Sequence, residues 1–334
     1  MLIFVLISFF CFLPKNEKLN SIMYFVIGFG LIFVAGLRKE GVDQDYQSYL
    51  SEFFEPGSIL ESSFGLIVSF IKHFTYNPVY MFLLYAALGV TINIIAIRQL
   101  TDLYICSLLI YFSWFFLLHD MTQIRVGVSC AFLLLSIKPL YERKFLIVFL
   151  FFLLAIFFHY SAIIIIFILL FSPKRMSRKK WFYIVPLGYI IHFFNVSIMS
   201  LLRKGPLFEK IELYNDLNST DFAGFSHINV FNPVYLSNII IFYFLLYHIE
   251  RIHNENKYAY LLIKIYGLAI FSFTALSSIT VVAARTNEFF GVVQIILIPT
   301  VVYCIKPIAI PRAMIVVFAA FSLWVMLYFN HLIS

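Results

Sequence analysis

Phe145–Ser172 reads FLIVFLFFLLAIFFHYSAIIIIFILLFS, a run without a single acid, lysine or arginine. His159 is its one side chain that titrates near neutral pH. A straight helix of this length would extend about 42 Å at 1.5 Å per residue, well beyond the roughly 30 Å hydrocarbon core of a bilayer. Its flanks are both basic. Lys138, Arg143 and Lys144 precede it, opposed by Glu142, and Lys174, Arg175, Arg178, Lys179 and Lys180 follow it. Basic loops collect on the cytoplasmic side, and two loops on one side cannot flank a single crossing. The pattern predicts a broken-helix hairpin over 145–172 with the break in FFHYS and His159 near its tip. Such breaks are tolerated at membrane depth where they are buried in protein or line a wet cavity. The alternative is one tilted helix, which would put the two basic loops on opposite sides.

Outward from this run the chain is membrane in character. Of its 334 residues 62% are hydrophobic and 12% charged, against about 45–50% apolar in soluble domains. The fold class is therefore all-α, a polytopic integral membrane helical bundle in a single membrane domain over 1–334. The net charge of +7 suggests nucleic acid only until it is located, because the positives sit in loops that set topology. Cys11, Cys106, Cys130 and Cys304 all fall in apolar stretches and indicate neither a disulfide nor a metal site.

In chain order, Met1–Leu13 reads as a membrane helix and not a removed signal, lacking a basic start and a small-residue cleavage site. Crossings are expected at 21–37, 78–97, 103–118, 122–137, 181–202, 233–248, 258–282, 289–305 and 313–332, with a short interfacial or re-entrant helix at 62–74. Counting the hairpin, about eleven or twelve segments result. Two large loops, 38–61 and 203–232, are expected outside. The first carries two basic against six acidic residues, which suits the outer face.

On that expected outer side the sequence gathers its ionisable residues: Arg38, Asp43, Asp45, Arg125, His159, Arg285 and Glu288. Such groups near hydrocarbon are costly and usually face a bundle interior or a wet cavity. Three guanidinium forks around one cavity would suit phosphate oxygens, so a membrane-embedded ligand carrying phosphate is expected. Tyr46 and Tyr49, three residues apart, can share one helical face. Each residue also has a plainer account. Arg38 and Lys39 can be a snorkelling pair, Arg285 and Glu288 a simple i,i+3 pair, His159 a hydrogen-bonded core residue, and the tyrosines part of an aromatic belt. Asp43-Gln44-Asp45 is a D-x-D string of the kind that holds metal and phosphate in some glycosyltransferases, yet solvated loop acids are commoner. No phosphate-loop, H-E-x-x-H, C-x-x-C or G-x-S-x-G motif competes.

These strings resemble a family. Arg38 to Tyr49, with Gly41 and an aspartate between them, is similar to the first outer loop of the EpsG-type Wzy polysaccharide polymerases. Gln123-Ile-Arg125-Val-Gly127 with Ser136 resembles that family's second arginine helix. Leu154 to Ile163, around Phe158-His159, resembles its Phe-His string, and Ala284-Arg285 with Phe289, Phe290 and Pro299 its late arginine segment. Two features depart from the pattern. The spacing after Gly41 leaves Asp43 and Asp45 both eligible as the acid, and Phe289-Phe290 stands where Tyr-Phe is usual.

The resemblance implies an O-antigen or exopolysaccharide polymerase, a glycosyltransferase in the bacterial cytoplasmic (inner) membrane with its active site facing outside. It would join undecaprenyl-diphosphate-linked oligosaccharides without a cofactor or metal. Membrane lipid and a chain-length regulator protein would be its other partners, and nucleic acid none. Arg38, Arg125 and Arg285 would hold the lipid diphosphate. His159 would act as base, with Asp43, Asp45 or Glu288 in support or in its place, and Tyr46 and Tyr49 would stack on sugars. A lipid-linked oligosaccharide flippase or other transporter, or a membrane acyltransferase, are the competing classes. A flippase would need a cationic cavity open to both sides, and an acyltransferase an inward-facing pocket around the histidine.

Overall fold

The computed structural model describes residues 1–13, 16–55, 57, 61–194 and 228–329. Among them the secondary structure is helical, with no β-strand. Five helices are long and apolar enough to cross a membrane: Glu17–Gly36, Val79–Leu100, Tyr104–Thr122, Ile124–Tyr141 and Ala309–Tyr328. Two bent pairs raise the number to seven, Pro233–Tyr247 with Ile249–Glu255 at 73° and Thr280–Gly291 with Gln294–Tyr303 at 40°. Leu2–Phe12, Ser62–Lys72, Phe145–Phe158, Tyr160–Leu170 and Ala259–Ala275 are apolar but shorter. The chain is thus a multi-pass helical membrane protein. The eleven or twelve segments expected from sequence divide into these five to seven full-length spans and the shorter apolar helices. The loop expected at 203–232 lies outside the described residues up to 227, as does the end of the segment expected at 181–202.

Tyr104–Thr122 is the axis of the bundle. Its apolar window is 89% buried, against 33% for Glu17–Gly36 at the rim. Rim helices turn bulky apolar side chains outward, with Phe29 63%, Phe149 57% and Val317 68% exposed, as expected where the solvent is lipid. Neighbouring helices are tied by side chains reaching backbone carbonyls: Tyr24 Oη to Ile94 O at 2.8 Å, Tyr235 Oη to Ile270 O at 2.6 Å, and Asn256 Nδ2 to Leu100 O at 2.8 Å.

From Tyr111 to Thr122 the axial helix is wound as a π-helix. Thr122 Oγ1 and Gln123 N both reach back five residues, to Leu117 O and Leu118 O. π-turns are rare and concentrate at functional sites. Here the wider winding delivers Gln123 and starts the Ile124–Tyr141 helix close beside it. Gly127 permits that closeness, because a Cβ there would lie 2.8 Å from the His119 carbonyl oxygen.

The 145–172 run is two helices. Phe145–Phe158 is α-helical, Tyr160–Leu170 is a 3-10 helix, and His159 between them is extended at φ −154°, ψ 118°. Pro173, Lys174 and Arg175 share a cavity with Tyr141, whereas His159 meets Glu61 and its partner Arg125 at the other end of the Ile124–Tyr141 helix. The run therefore leaves one end of the bundle and returns to it. Ser129 Oγ clamps the outgoing arm by donating to Ala155 O at 2.7 Å. Lys264 Nζ closes the return by donating to Ser172 O at 2.7 Å and Lys174 O at 2.9 Å.

One boundary differs from the sequence reading. The crossing expected at 258–282 ends at Ala275, and Arg285 sits inside a separate helix, Thr280–Gly291. The hydroxyls of Thr274 and Ser277 bond back to Ile270 O and Thr274 O. Such local hydroxyl bonds compete with continued winding and favour a turn. The break swings Arg285 toward the axial helix.

Candidate active site

The described residues of the segment 38–61 fold over the His159 end of the bundle. Gly41 makes the first turn at φ +80°, a conformation that glycine adopts without a Cβ clash. Tyr46–Phe54 then forms a short helix lying on the bundle. Its aromatic face is the fixing element. Tyr46 stacks on Phe82 at 4.6 Å between ring centroids and Tyr49 on Phe64 at 5.9 Å. The tyrosines are 6% and 5% exposed, so their shared face is turned into protein. Each ring also lies beside a guanidinium, Arg38 at 5.7 Å from Tyr46 and Arg125 at 5.7 Å from Tyr49.

The three arginines are differently placed. Arg38 Nε donates to Asp43 Oδ2 at 2.5 Å and Nη1 to Ala35 O at 2.6 Å, and its guanidinium lies 4.3 Å from the Phe82 centroid. The two side chains of this pair are 1% and 0% exposed. Arg38 and Asp43 therefore pin the loop to the helix end, and Arg38 Nη2 is buried without a partner among the described residues. Arg125 binds Glu61 through Nη1. Arg285 Nη1 donates to Gln123 Oε1 at 2.6 Å and Glu288 Oε2 at 2.7 Å, and its side chain is 30% exposed. Its Nε and Nη2 make no hydrogen bond among the described residues.

The Asp45 carboxylate has no hydrogen bond or ion pair among the described residues, although its backbone N–H donates to Asp43 Oδ1 at 3.2 Å and its carbonyl accepts from Tyr49 N at 3.1 Å. Burial and the neighbouring Asp43 charge push its pKa up, while Arg285, Arg125 and Arg38 pull it down. All three guanidinium charges are thus close enough to act on one half-buried carboxylate.

Glu61 joins the parts. It precedes the Ser62–Lys72 helix, takes Arg125 on Oε2, and lies 2.8 Å from His159 Nδ1 through Oε1. Burial acts to raise its pKa, but the His159 contact and the Arg125 charge outweigh this and hold it below the usual glutamate value. Ionised at neutral pH, Glu61 can only accept, so Nδ1 carries the proton and Nε2 the lone pair. His159 Nε2 and Arg125 Nε are buried without a partner among the described residues. Phe289 lies parallel to the imidazole at 6.3 Å and 18°, and one helical turn before it stands Arg285.

The structure therefore brings together His159, Arg125, Asp45, Arg285 and Glu288, and seats Arg38, Asp43, Tyr46 and Tyr49 beneath them as supports. Sequence reasoning gave no role to Glu61 or Gln123. Glu61 counted only as one more acid of a polar loop; its position directly before a short apolar helix was the available signal. The electrostatics also differ from a bare cationic cavity. Asp43, Glu61 and Glu288 meet the three arginines, and Asp45 adds a fourth carboxylate. An anion here would bind through directed donors, chiefly the unused edge of Arg285, and not through a large net field.

Comparison with known proteins gives a consistent result. The family model described as the EpsG family matches residues 21–334. The amylovoran biosynthesis protein AmsC of Erwinia amylovora is 24% identical over 287 residues, covering 80% of this chain and 75% of that protein. No solved structure matches.

Proposed function

Since the chain belongs to the EpsG family, we propose that it is a polysaccharide polymerase, a glycosyltransferase that joins lipid-linked repeat units at the His159 end of the bundle. The observation that carries this reading is the Glu61–His159 dyad beside Arg125 and Arg285. Similarity to a protein named for amylovoran biosynthesis adds to it. The donor is a glycan on undecaprenyl diphosphate, and the acceptor is the sugar hydroxyl of a second lipid-linked unit. That end of the bundle faces the outside of the bacterial cytoplasmic membrane, because the basic loops gather at the other.

The chemistry follows from the groups present. The bond between the donor's anomeric carbon and its diphosphate oxygen breaks, and a bond to the acceptor oxygen forms. His159 Nε2 takes the acceptor proton while Glu61 stabilises the imidazolium, the arrangement by which a carboxylate orients a histidine base. The leaving diphosphate gains negative charge, which Arg285 and Arg125 stabilise through their spare N–H donors. Asp45 is positioned to steady the positive charge that develops at the anomeric carbon.

A deletion strain tests the reading. Loss of polymer with retention of single-repeat surface glycan is expected. Complete loss of surface glycan, with lipid-linked units held inside the cell, would identify a flippase instead.

A further inference from the structure

A cavity of about 240 Å³ opens beside Glu288, on the side of the Thr280–Gly291 helix away from His159. Its walls come from the axial helix, Pro233–Tyr247, Ala259–Ala275, Thr280–Gly291, Gln294–Tyr303 and Ala309–Tyr328. Much of the lining is apolar and aromatic, including Trp114 and Phe318. Set into that lining are three primary amides, Asn238, Asn287 and Gln294. No hydrogen bond engages any of the three side chains among the described residues. Each therefore offers two N–H donors and a carbonyl acceptor toward whatever occupies the cavity.

Resting on the polymerase reading, we infer that this cavity is a subsite for a repeat-unit sugar other than the one whose hydroxyl reacts at His159, and that it takes a pyranose by amide hydrogen bonds and aromatic contact. Two occupants are conceivable for an apolar cavity next to a lipid-diphosphate site. A polyprenyl tail has no polar atom, so filling the cavity with it would strip water from three amides and leave them unpaired, a penalty set against any gain from hydrophobic contact. A sugar offers hydroxyls that donate and accept, which amides match on both counts, and it presents an apolar ring face to Trp114. The cavity is smaller than the roughly 300 Å³ lower end of small-molecule sites, which suits one sugar ring and not a whole repeat unit. Glu288 lines the cavity and also holds Arg285. The bound repeat unit would therefore pass directly beside the guanidinium assigned to the departing diphosphate.

The test uses purified full-length protein in detergent and two separate probes, sugar-free undecaprenyl diphosphate and the repeat-unit oligosaccharide released by mild acid from the host's own lipid-linked units. Wild type should bind both, and the oligosaccharide should change Trp114 fluorescence in a way that Trp114→Phe abolishes. The Asn238→Leu/Asn287→Leu double variant should bind the oligosaccharide at least tenfold more weakly while binding undecaprenyl diphosphate as wild type does. Gln294→Met, at a separate amide, gives an independent version of the test if the double variant does not melt cooperatively. Unchanged oligosaccharide affinity in these variants, or weakened binding of undecaprenyl diphosphate alone, would overturn the sugar subsite and make the cavity a hydrocarbon groove. The polymerase reading fails by a different sign, namely undecaprenyl diphosphate binding that survives Arg285→Ala unchanged.

Discussion

Glu61 Oε1 stands 2.8 Å from His159 Nδ1 across a gap of 98 residues in sequence. The same carboxylate binds Arg125 through its other oxygen. One side chain thereby fixes the tautomer of the candidate base, orients a guanidinium, and ties the loop segment to the turn of the 145–172 hairpin. Removing it should damage more than removing either partner. Glu61→Ala leaves a half-buried cation and an imidazole unpaired, a loss below the roughly 3–5 kcal/mol of a fully buried pair. We expect a sharply lower melting temperature in detergent and no polymer. Glu61→Gln keeps a hydrogen-bond acceptor and should recover most of the stability but little of the activity.

The pH dependence of stability follows from the same residue. Folding lowers the pKa of Glu61, so the folded state binds its proton more weakly than the unfolded chain does. The stabilisation is complete above the unfolded glutamate pKa, about 4.3, and is lost as pH falls through the lower folded value. Melting curves of wild type and Glu61→Gln should therefore run apart above that range and converge below it. Parallel curves across the acid range would show that Glu61 is not held ionised by its partners.

Arg38 and Arg285, alike in the sequence, should behave differently. Arg38 is enclosed by Asp43, Ala35 and Phe82, so Arg38→Ala should lower protein level and melting temperature, by about 3–5 kcal/mol. Polymer should fall in proportion to the protein lost. Arg285 is partly exposed with an unused donor edge. Arg285→Lys should leave stability near wild type and still abolish most polymer, since an ammonium cannot replace the planar fork. The loss assigned to one such donor is about 3–4 kcal/mol of transition-state stabilisation, or 10²–10³ in rate. Normal chain lengths in a well-expressed Arg285→Lys would argue against diphosphate contact.

The hairpin and the helical membrane class were legible because they rest on length and charge bias, which are local properties of the sequence. An uncharged run too long for one crossing, with basic flanks at both ends, has few other solutions. The pairing inside the site was not legible. Arg38, Asp43, Asp45 and Glu61 are all polar residues of one segment, and nothing in their spacing says that Asp43 is enclosed and Asp45 left half-buried. That distinction is made by Phe82 and Ala35, which belong to other helices. Glu61 was missed for the same reason, since its partners lie 64 and 98 residues away. Gln123 depends on the π-winding of the axial helix, for which the sequence gives no periodic signal.

Asp43 and Asp45 separate along that line. Asp43→Asn should behave as a folding variant, with lowered melting temperature and polymer reduced in step. Asp45→Asn removes a carboxylate that no cation contacts directly, so stability should hold or rise slightly as burial of a charge is relieved. If Asp45 steadies the developing positive charge, the turnover rate of Asp45→Asn should fall well below that of wild type at saturating lipid-linked substrate, with KM little changed. A pure KM effect would assign Asp45 to substrate binding instead.

The base itself is tested at His159. The break in the hairpin is a backbone feature, held by the bond from His159 N to Ala155 O and from Ala162 N to His159 O. Neither involves the imidazole, so His159→Gln should leave the turn in place. The glutamine amide can still donate to Glu61, which keeps the carboxylate and Arg125 paired. What it lacks is a second nitrogen able to accept a proton. His159→Gln should therefore melt near wild type and bind undecaprenyl diphosphate normally, yet make single-repeat product only. In wild type the turnover rate should rise with pH as the imidazole loses its proton, because only the neutral ring can take one from the acceptor hydroxyl. That rising limb should vanish in His159→Gln, leaving a low, flat rate. A variant that keeps the limb at reduced amplitude would move the base to the half-buried Asp45, and Asp45→Asn in the His159→Gln background would then remove what remains.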